Sequence, residues 1–310
     1  MGTIVLGAAD IIAPAMRPSE SLFYEIRGLR YHVRRWPGTS SDPARRMVLL
    51  HGWMDVSASF QFLVDALDPG WEVYAPDWRG YGLTDWVKAD AYWFQDYVAD
   101  LDQVLEKIQP DQPVNLVGHS LGGNVGSVYA GTRPERIAKF VNLEGFGMSR
   151  NNPDQAPGRL LRWLKELREP PTLRPYESFA ALADRLQKNN PRLLRERAEF
   201  LARHWGKEAA GGGVELRSDP AHKIVNATLS RFEEMLAFWQ RVTAPVLWVD
   251  AAESKTMKQI GIDPEDYARR RAAYKTLRYE TVQQAGHMLH HDQPEVVARL
   301  IEGFLADGGA

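Results

Sequence analysis

An α/β fold, a mostly parallel sheet of eight strands with helices on both faces, is predicted by three observations. Short β-rich runs alternate with helical patterns over most of the chain, as a parallel sheet requires, because each parallel strand needs a crossover to re-enter it. A Gly-x-Ser-x-Gly sequence, residues 118–122, follows directly on a largely apolar run. Between Gly147 and Val242 the alternation lapses into successive helical patterns, which marks an insertion into an otherwise regular fold.

The expected strands are 22–27, 29–34, 46–50, 71–75, 114–117, 140–143, 246–249 and 277–282. Between them Trp93, Tyr97, Leu101, Leu105 and Ile108 recur at helical spacing, as do Val297, Leu300, Ile301 and Phe304 behind Pro294, a residue suited to a first helical turn. In the insertion, helices are expected at 159–169, 176–187, 191–205 and 230–240. Asn151-Asn152-Pro153, Gln155-Ala156-Pro157-Gly158 and Gly211-Gly212-Gly213 read as linkers. The predicted organisation is an N-terminal arm (1–21), a core (22–147 and 242–310) and a helical cap (148–241). Such a cap would sit over the carboxyl ends of the strands, where open α/β sheets bind ligands.

With 310 residues, 44% of them apolar, the chain can bury a large core. A net charge of −2 without a basic cluster interleaved with aromatics gives no reason to expect nucleic acid, and Arg269 to Arg271 reads as a solvated helix face. The absence of cysteine excludes disulfides and thiolate metal sites, with the cytoplasm as the default compartment. Ile4 to Ala15 is mildly apolar but interrupted by Asp10 and too short to span a bilayer.

Ser120 lies in Gly118-His119-Ser120-Leu121-Gly122. A serine on a sharp strand-to-helix turn needs neighbours without side chains, because the turn is strained and crowded. Its hydroxyl is a poor nucleophile near neutral pH and needs a base within hydrogen-bond reach, with a further group to orient that base. Gly80-Tyr81-Gly82 lacks the third glycine and the ribose-binding acid of a dinucleotide loop, and no cofactor is expected.

Further landmarks make the chain resemble the α/β-hydrolase family over residues 22–306. His51-Gly52-Trp53 follows the third expected strand, Asp77-Trp78-Arg79-Gly80-Tyr81-Gly82 the fourth, Ser120 the fifth and Gly286-His287 the eighth. The resemblance implies His287 as the base and the backbone N–H groups of Trp53 and Leu121 as the oxyanion hole. It gives His51 a part in shaping that turn, and it makes Asp77 and Arg79 braces of it. Asp55 is an unplaced candidate for contact near the cleft mouth. His287, His290 and His291 form a His-x-x-His-His pattern, but no carboxylate pair completes a site in sequence, so no metal is expected.

The commonest family pattern places an aspartate beyond the seventh strand, where this chain reads Asp250-Ala251-Ala252-Glu253-Ser254, with serine at the usual acid position. Glu144 instead ends the sixth strand, a position similar to that of the acid in haloalkane dehalogenases. Glu144 is the expected acid and Glu253 the alternative, with Asp250 also near. Those dehalogenases attack with aspartate; a serine suits an acyl carbon.

Trp163, Phe179, Leu182, Phe200, Trp205, Phe232, Met235 and Trp239 give the insertion the means to roof an apolar pocket, most of them packing the insertion itself. The expected activity is hydrolysis of small to medium apolar carboxylic esters through an acyl-enzyme intermediate. C–C bond hydrolysis of the meta-cleavage-product type, lactone opening and perhydrolysis are alternatives within enzymes. A ligand-sensing receptor on a hydrolase scaffold is the alternative outside them.

Overall fold

The site-bearing strands follow from the alternation seen in sequence. The computed structural model describes residues 16–87 and 90–307. β1 (Glu20–Ile26) and β2 (Leu29–Trp36) form a hairpin closed by Arg27 and Gly28, both at positive φ, the two-residue turn whose twist matches its strands. β3 (Arg46–Leu50), β4 (Glu72–Pro76), β5 (Val114–His119) and β6 (Ile137–Leu143) follow. α1 (Gln61–Ala66), α2 (Phe94–Ile108) and α3 (Leu121–Thr132) lie between them. The next segment contains α4 (Ala156–Arg168), α5 (Phe179–Asn189), α6 (Arg195–Trp205), β7 (Gly206–Glu208), β8 (Val214–Leu216) and α7 (Phe232–Trp239). The chain closes with β9 (Val246–Ala251), α8 (Thr256–Gln259), α9 (Pro264–Ala272), β10 (Leu277–Val282), α10 (Leu289–Asp292) and α11 (Pro294–Ala306).

Eight strands form one sheet in the order β1-β2-β4-β3-β5-β6-β9-β10, parallel from β4 to β10, with β2 antiparallel to both its neighbours. Alternate side chains enter opposite cores, as the strand period of two demands. Val48, Leu50, Leu116, Phe140 and Trp248 pack with Val104, Leu105 and Val125 of α2 and α3 on one face. Met47, Leu49, Val117, Val141 and Leu247 pack with Leu63, Val64, Val297 and Ile301 of α1 and α11 on the other. Each such fully buried aliphatic side chain contributes roughly 1.5–3 kcal/mol. Two cores clamp the central strands, so their carboxyl ends are rigid mounts.

The structure departs from the sequence reading at four places. The glycine run 211–213, expected as a linker, closes an antiparallel hairpin of β7 and β8, with Gly212 and Gly213 at positive φ. α7, expected in the cap, joins the buried cluster on the sheet: Phe232, Met235, Leu236 and Trp239 are buried there, and Trp239 Nε1 donates to Ser127 Oγ at 3.0 Å. Arg270 is fully buried, bonded to Asp266 and to the carbonyls of Phe146 and Met148, whereas Arg269 is exposed. Of the expected N-terminal arm, residues 1–15 lie outside the described residues, and Glu20 and Ser21 already belong to β1.

α5, α6 and β8 share a small core of their own, with Leu182, Leu186, Leu201 and Val214 gathered around Phe62 of α1. α4 is different. It buries none of its residues, and Leu160, Leu161 and Leu164 are all exposed.

Candidate active site

Ser120 stands between β5 and α3 with φ of +52°. A non-glycine residue is held there only when its surroundings over-determine it. Ser120 N–H donates to the Leu143 carbonyl at 2.9 Å. A side-chain carbon on Gly118 would strike the Gly122 carbonyl, and one on Gly122 would strike that of Leu50. The two glycines thus let the first turn of α3 press against β5 and β3, which the motif required.

Glu144, one residue beyond β6, has φ of +57° and is almost wholly buried. Its Oε1 accepts from Ala251 N–H at 2.7 Å, and its Oε2 accepts from the Ser254 hydroxyl. His287 comes from the loop after β10. Its Nδ1 lies 3.1 Å from Glu144 Oε2, and its Nε2 lies 3.0 Å from Ser120 Oγ. An ionised carboxylate can only accept, so Glu144 fixes the proton on Nδ1 and leaves the Nε2 lone pair toward the serine hydroxyl. Serine, imidazole and carboxylate form one continuous hydrogen-bonded line.

Glu253, the alternative acid, does not reach the histidine. Its half-exposed side chain pairs with Arg192 on the surface. Asp250 is turned into an aromatic cluster, accepting from Trp248 Nε1 at 2.8 Å, from Tyr279 at 3.0 Å and from Tyr267. Burial raises its pKa above the ordinary aspartate value. Ser254, noted in sequence only as the residue at the usual acid position, supports Glu144 from the β9 side.

The loop after β3 lies against the serine: a side-chain carbon on Gly52 would come within 3.4 Å of Ser120 Cβ. His51 accepts from Trp78 N–H on Nε2 at 3.0 Å, and its carbonyl accepts from Trp78 Nε1 at 2.9 Å. Burial pushes His51 down to about 4, so it is neutral at physiological pH. Asp77 accepts from Ser57 N–H and Leu83 N–H and bonds to His32, while Arg79 is paired to buried Asp100. Both brace the turn. Trp53 is 54% exposed and Leu121 is half-buried at the first position of α3, where backbone N–H groups have no intrahelical acceptor.

Asp55 is not at the cleft mouth. It is 2% exposed, and burial pushes it up to about 7 despite bonds from Ser59 and the Val56 N–H. Asp55, His119 and His290 bring donor atoms within 4.8 Å of one another. The carboxylate missing from the His-x-x-His-His pattern therefore arrives from another loop, which no local spacing could reveal. His287 is not part of that group.

Among the proposed roofing residues, Leu182, Phe232, Met235 and Trp239 are buried in cores, and Trp205 Nε1 donates to Ser59 Oγ at 3.1 Å. A cavity of about 680 Å³ lies between α2, α3, α7 and the start of α4, lined by Phe94, Tyr129, Met148 and Phe238. None of Ser120, Glu144 and His287 lines it. Among the described residues no helix is long and apolar enough to cross a membrane.

Residues 45–294 match the family model described as the alpha/beta hydrolase fold, and the chain belongs to that family. It is 28% identical over 270 residues to a serine hydrolase-like protein of Danio rerio, covering 84% of this chain and 81% of that one. It is 25% identical over 285 residues to serine hydrolase-like protein 2 of Homo sapiens, covering 88% and 90%. Among solved structures, a thioesterase domain from the curacin biosynthetic pathway superposes with a TM-score of 0.81 at 24% identity, over 92% of this chain and 99% of that domain.

Proposed function

We propose that the chain is a serine hydrolase cleaving small to medium apolar carboxylic esters, with Ser120 as nucleophile, His287 as base and Glu144 as the orienting acid. The observation that carries this reading is the unbroken line from Ser120 Oγ through both ring nitrogens of His287 to buried Glu144. His287 Nε2 takes the hydroxyl proton as Oγ bonds to the acyl carbon, and the carbonyl electron pair moves onto its oxygen. Collapse of that tetrahedral adduct expels the alcohol, which receives the proton from His287, and leaves Ser120 acylated. Water, deprotonated by the same ring, then releases the acid. The N–H groups of Trp53 and Leu121 serve as the oxyanion donors, each worth about 3 kcal/mol in the transition state. The segment 148–231, without α7, serves as a cap over this cleft.

A fluorophosphonate probe followed by peptide mapping tests the reading, alongside hydrolysis of p-nitrophenyl esters of increasing chain length. Labelling is expected at Ser120, and Ser120→Ala should lower kcat/KM by about 10⁴-fold or more with the fold intact. A variant retaining a tenth of the wild-type rate overturns the mechanism. Strong turnover of a vinylogous diketone with no ester turnover moves the reaction to C–C hydrolysis.

A further inference from the structure

We propose that Asp55, His119 and His290 form a binding site for one divalent transition-metal ion of the zinc type, separate from the Ser120–His287–Glu144 line. The three side chains are 2%, 1% and 0% exposed and come from the loop after β3, the end of β5 and α10. Their donor atoms lie within 4.8 Å of one another. Asp55 Oδ2, His119 Nδ1 and both ring nitrogens of His290 are buried without any hydrogen-bond partner. A buried polar atom left unpaired costs about 1–3 kcal/mol, and one such atom on each of three converging side chains is an expensive arrangement unless something binds them.

The hydrogen bonds around the group leave one ligand atom free on each side chain. His119 Nε2 lies 2.8 Å from the His287 carbonyl. A carbonyl only accepts, so the proton is on Nε2 and Nδ1 is free to ligate. Metal-binding histidines are usually oriented in this way, with the second ring nitrogen donating to a backbone carbonyl. Asp55 Oδ1 is occupied by Val56 N–H at 2.8 Å and by the Ser59 hydroxyl, which leaves Oδ2 as the ligand oxygen. His290 packs between tilted rings, its centroid 4.5 Å from that of His119 and 5.2 Å from that of Phe60.

The chemistry of the set selects the ion. Two neutral imidazoles and one carboxylate suit zinc and its borderline neighbours, with a fourth position left for water. Calcium and magnesium are disfavoured, because they require mostly oxygen ligands in larger number. Ligand atoms on one tetrahedral zinc ion stand about 3.4 Å apart, so a pair at the 4.8 Å limit of the group closes by about 1.4 Å on binding, within reach of side-chain rotation. A bound cation would also keep Asp55 ionised where burial otherwise pushes it toward the neutral form.

The test uses the full chain, stripped with a chelator and titrated with Zn²⁺ by calorimetry and with Co²⁺ by visible absorption. One ion per chain is expected, with d–d bands of a low-coordinate site and a Tm that rises with zinc concentration. Asp55→Asn and His290→Phe should each weaken binding by at least 100-fold. His290→Phe replaces an unpaired buried imidazole with an apolar ring, so its metal-free Tm should equal or exceed that of the wild type. His287→Gln should bind as the wild type does. Absence of stoichiometric binding to the wild type overturns the proposal and leaves ordered water as the occupant. Binding lost in His287→Gln but kept in His290→Phe or Asp55→Asn overturns it too, by placing the ion on the candidate base.

Discussion

The carboxyl ends of β6 and β9 are hydrogen-bonded neighbours, and each is followed closely by acidic residues, yet they do different things. At the β6 end Glu144 is buried, held at positive φ and locked by the Ala251 N–H and the Ser254 hydroxyl. At the β9 end Asp250 is consumed by Trp248, Tyr267 and Tyr279, and Glu253 by Arg192 at the surface. A carboxylate orients an imidazole when its second oxygen is already occupied and water is excluded. Sequence proximity to the usual motif position does not supply either condition.

The contrast is broken most severely by removing its favoured member. Glu144→Gln should lower kcat/KM by about 10³- to 10⁴-fold, because an amide can stabilise the wrong imidazole tautomer. Adding Ser254→Asp to that variant sharpens the comparison: it puts a carboxylate on the β9 side, next to the vacated position, and should recover at least tenfold of the loss. An unchanged rate in the double variant would mean that the β9 end cannot hold the acid. Ser254→Ala alone should cost about tenfold in kcat, the scale of one hydrogen bond to a charged group, with KM little changed.

Asp250→Asn should act on stability. Burial raises the Asp250 pKa in the folded chain, so between the unfolded aspartate value near 3.9 and the folded value the native state binds more protons than the unfolded state. Stability from this group is therefore lost as pH rises through that window. The permanently neutral asparagine variant should gain on the wild type as pH rises above about 4 in urea unfolding, and a constant difference would contradict the shift. The smallest effect is expected from Glu253→Gln, within about twofold in kcat/KM, since exposed ion pairs contribute little. A loss larger than that of Glu144→Gln reverses the whole comparison.

Most of the sheet was legible because its signals are local. The eight expected strands recur within a few residues of their observed ends, as in 277–282 against Leu277–Val282, and the glycines around Ser120 announce the turn that forms. What depends on folding over distance was not legible. β7 and β8 have three residues each, too few for alternation to register, although a glycine run before Val214 is a fair hairpin signal. Arg270 is indistinguishable in sequence from Arg269, and Asp266 together with the carbonyls of Phe146 and Met148 explains its burial. The choice between Glu144 and Glu253 turned on side-chain direction, and the meeting of Asp55 with His119 and His290 on a loop, a strand end and a short helix that only the folded sheet brings together.

α4 packs lightly: none of its residues is wholly buried, although the Trp163 indole nitrogen is shielded from solvent. Beyond its own turns it is tied by a bond from the Val225 N–H to Glu166 at 2.7 Å, and Asn152 and Gln155 cap the turn that leads into it. Tilting or fraying this segment would leave the two cores on the sheet unaltered, since α4 contributes no side chain to either. Substitution of Leu160, Leu161 or Leu164 should therefore leave Ser120, Glu144 and His287 where they stand.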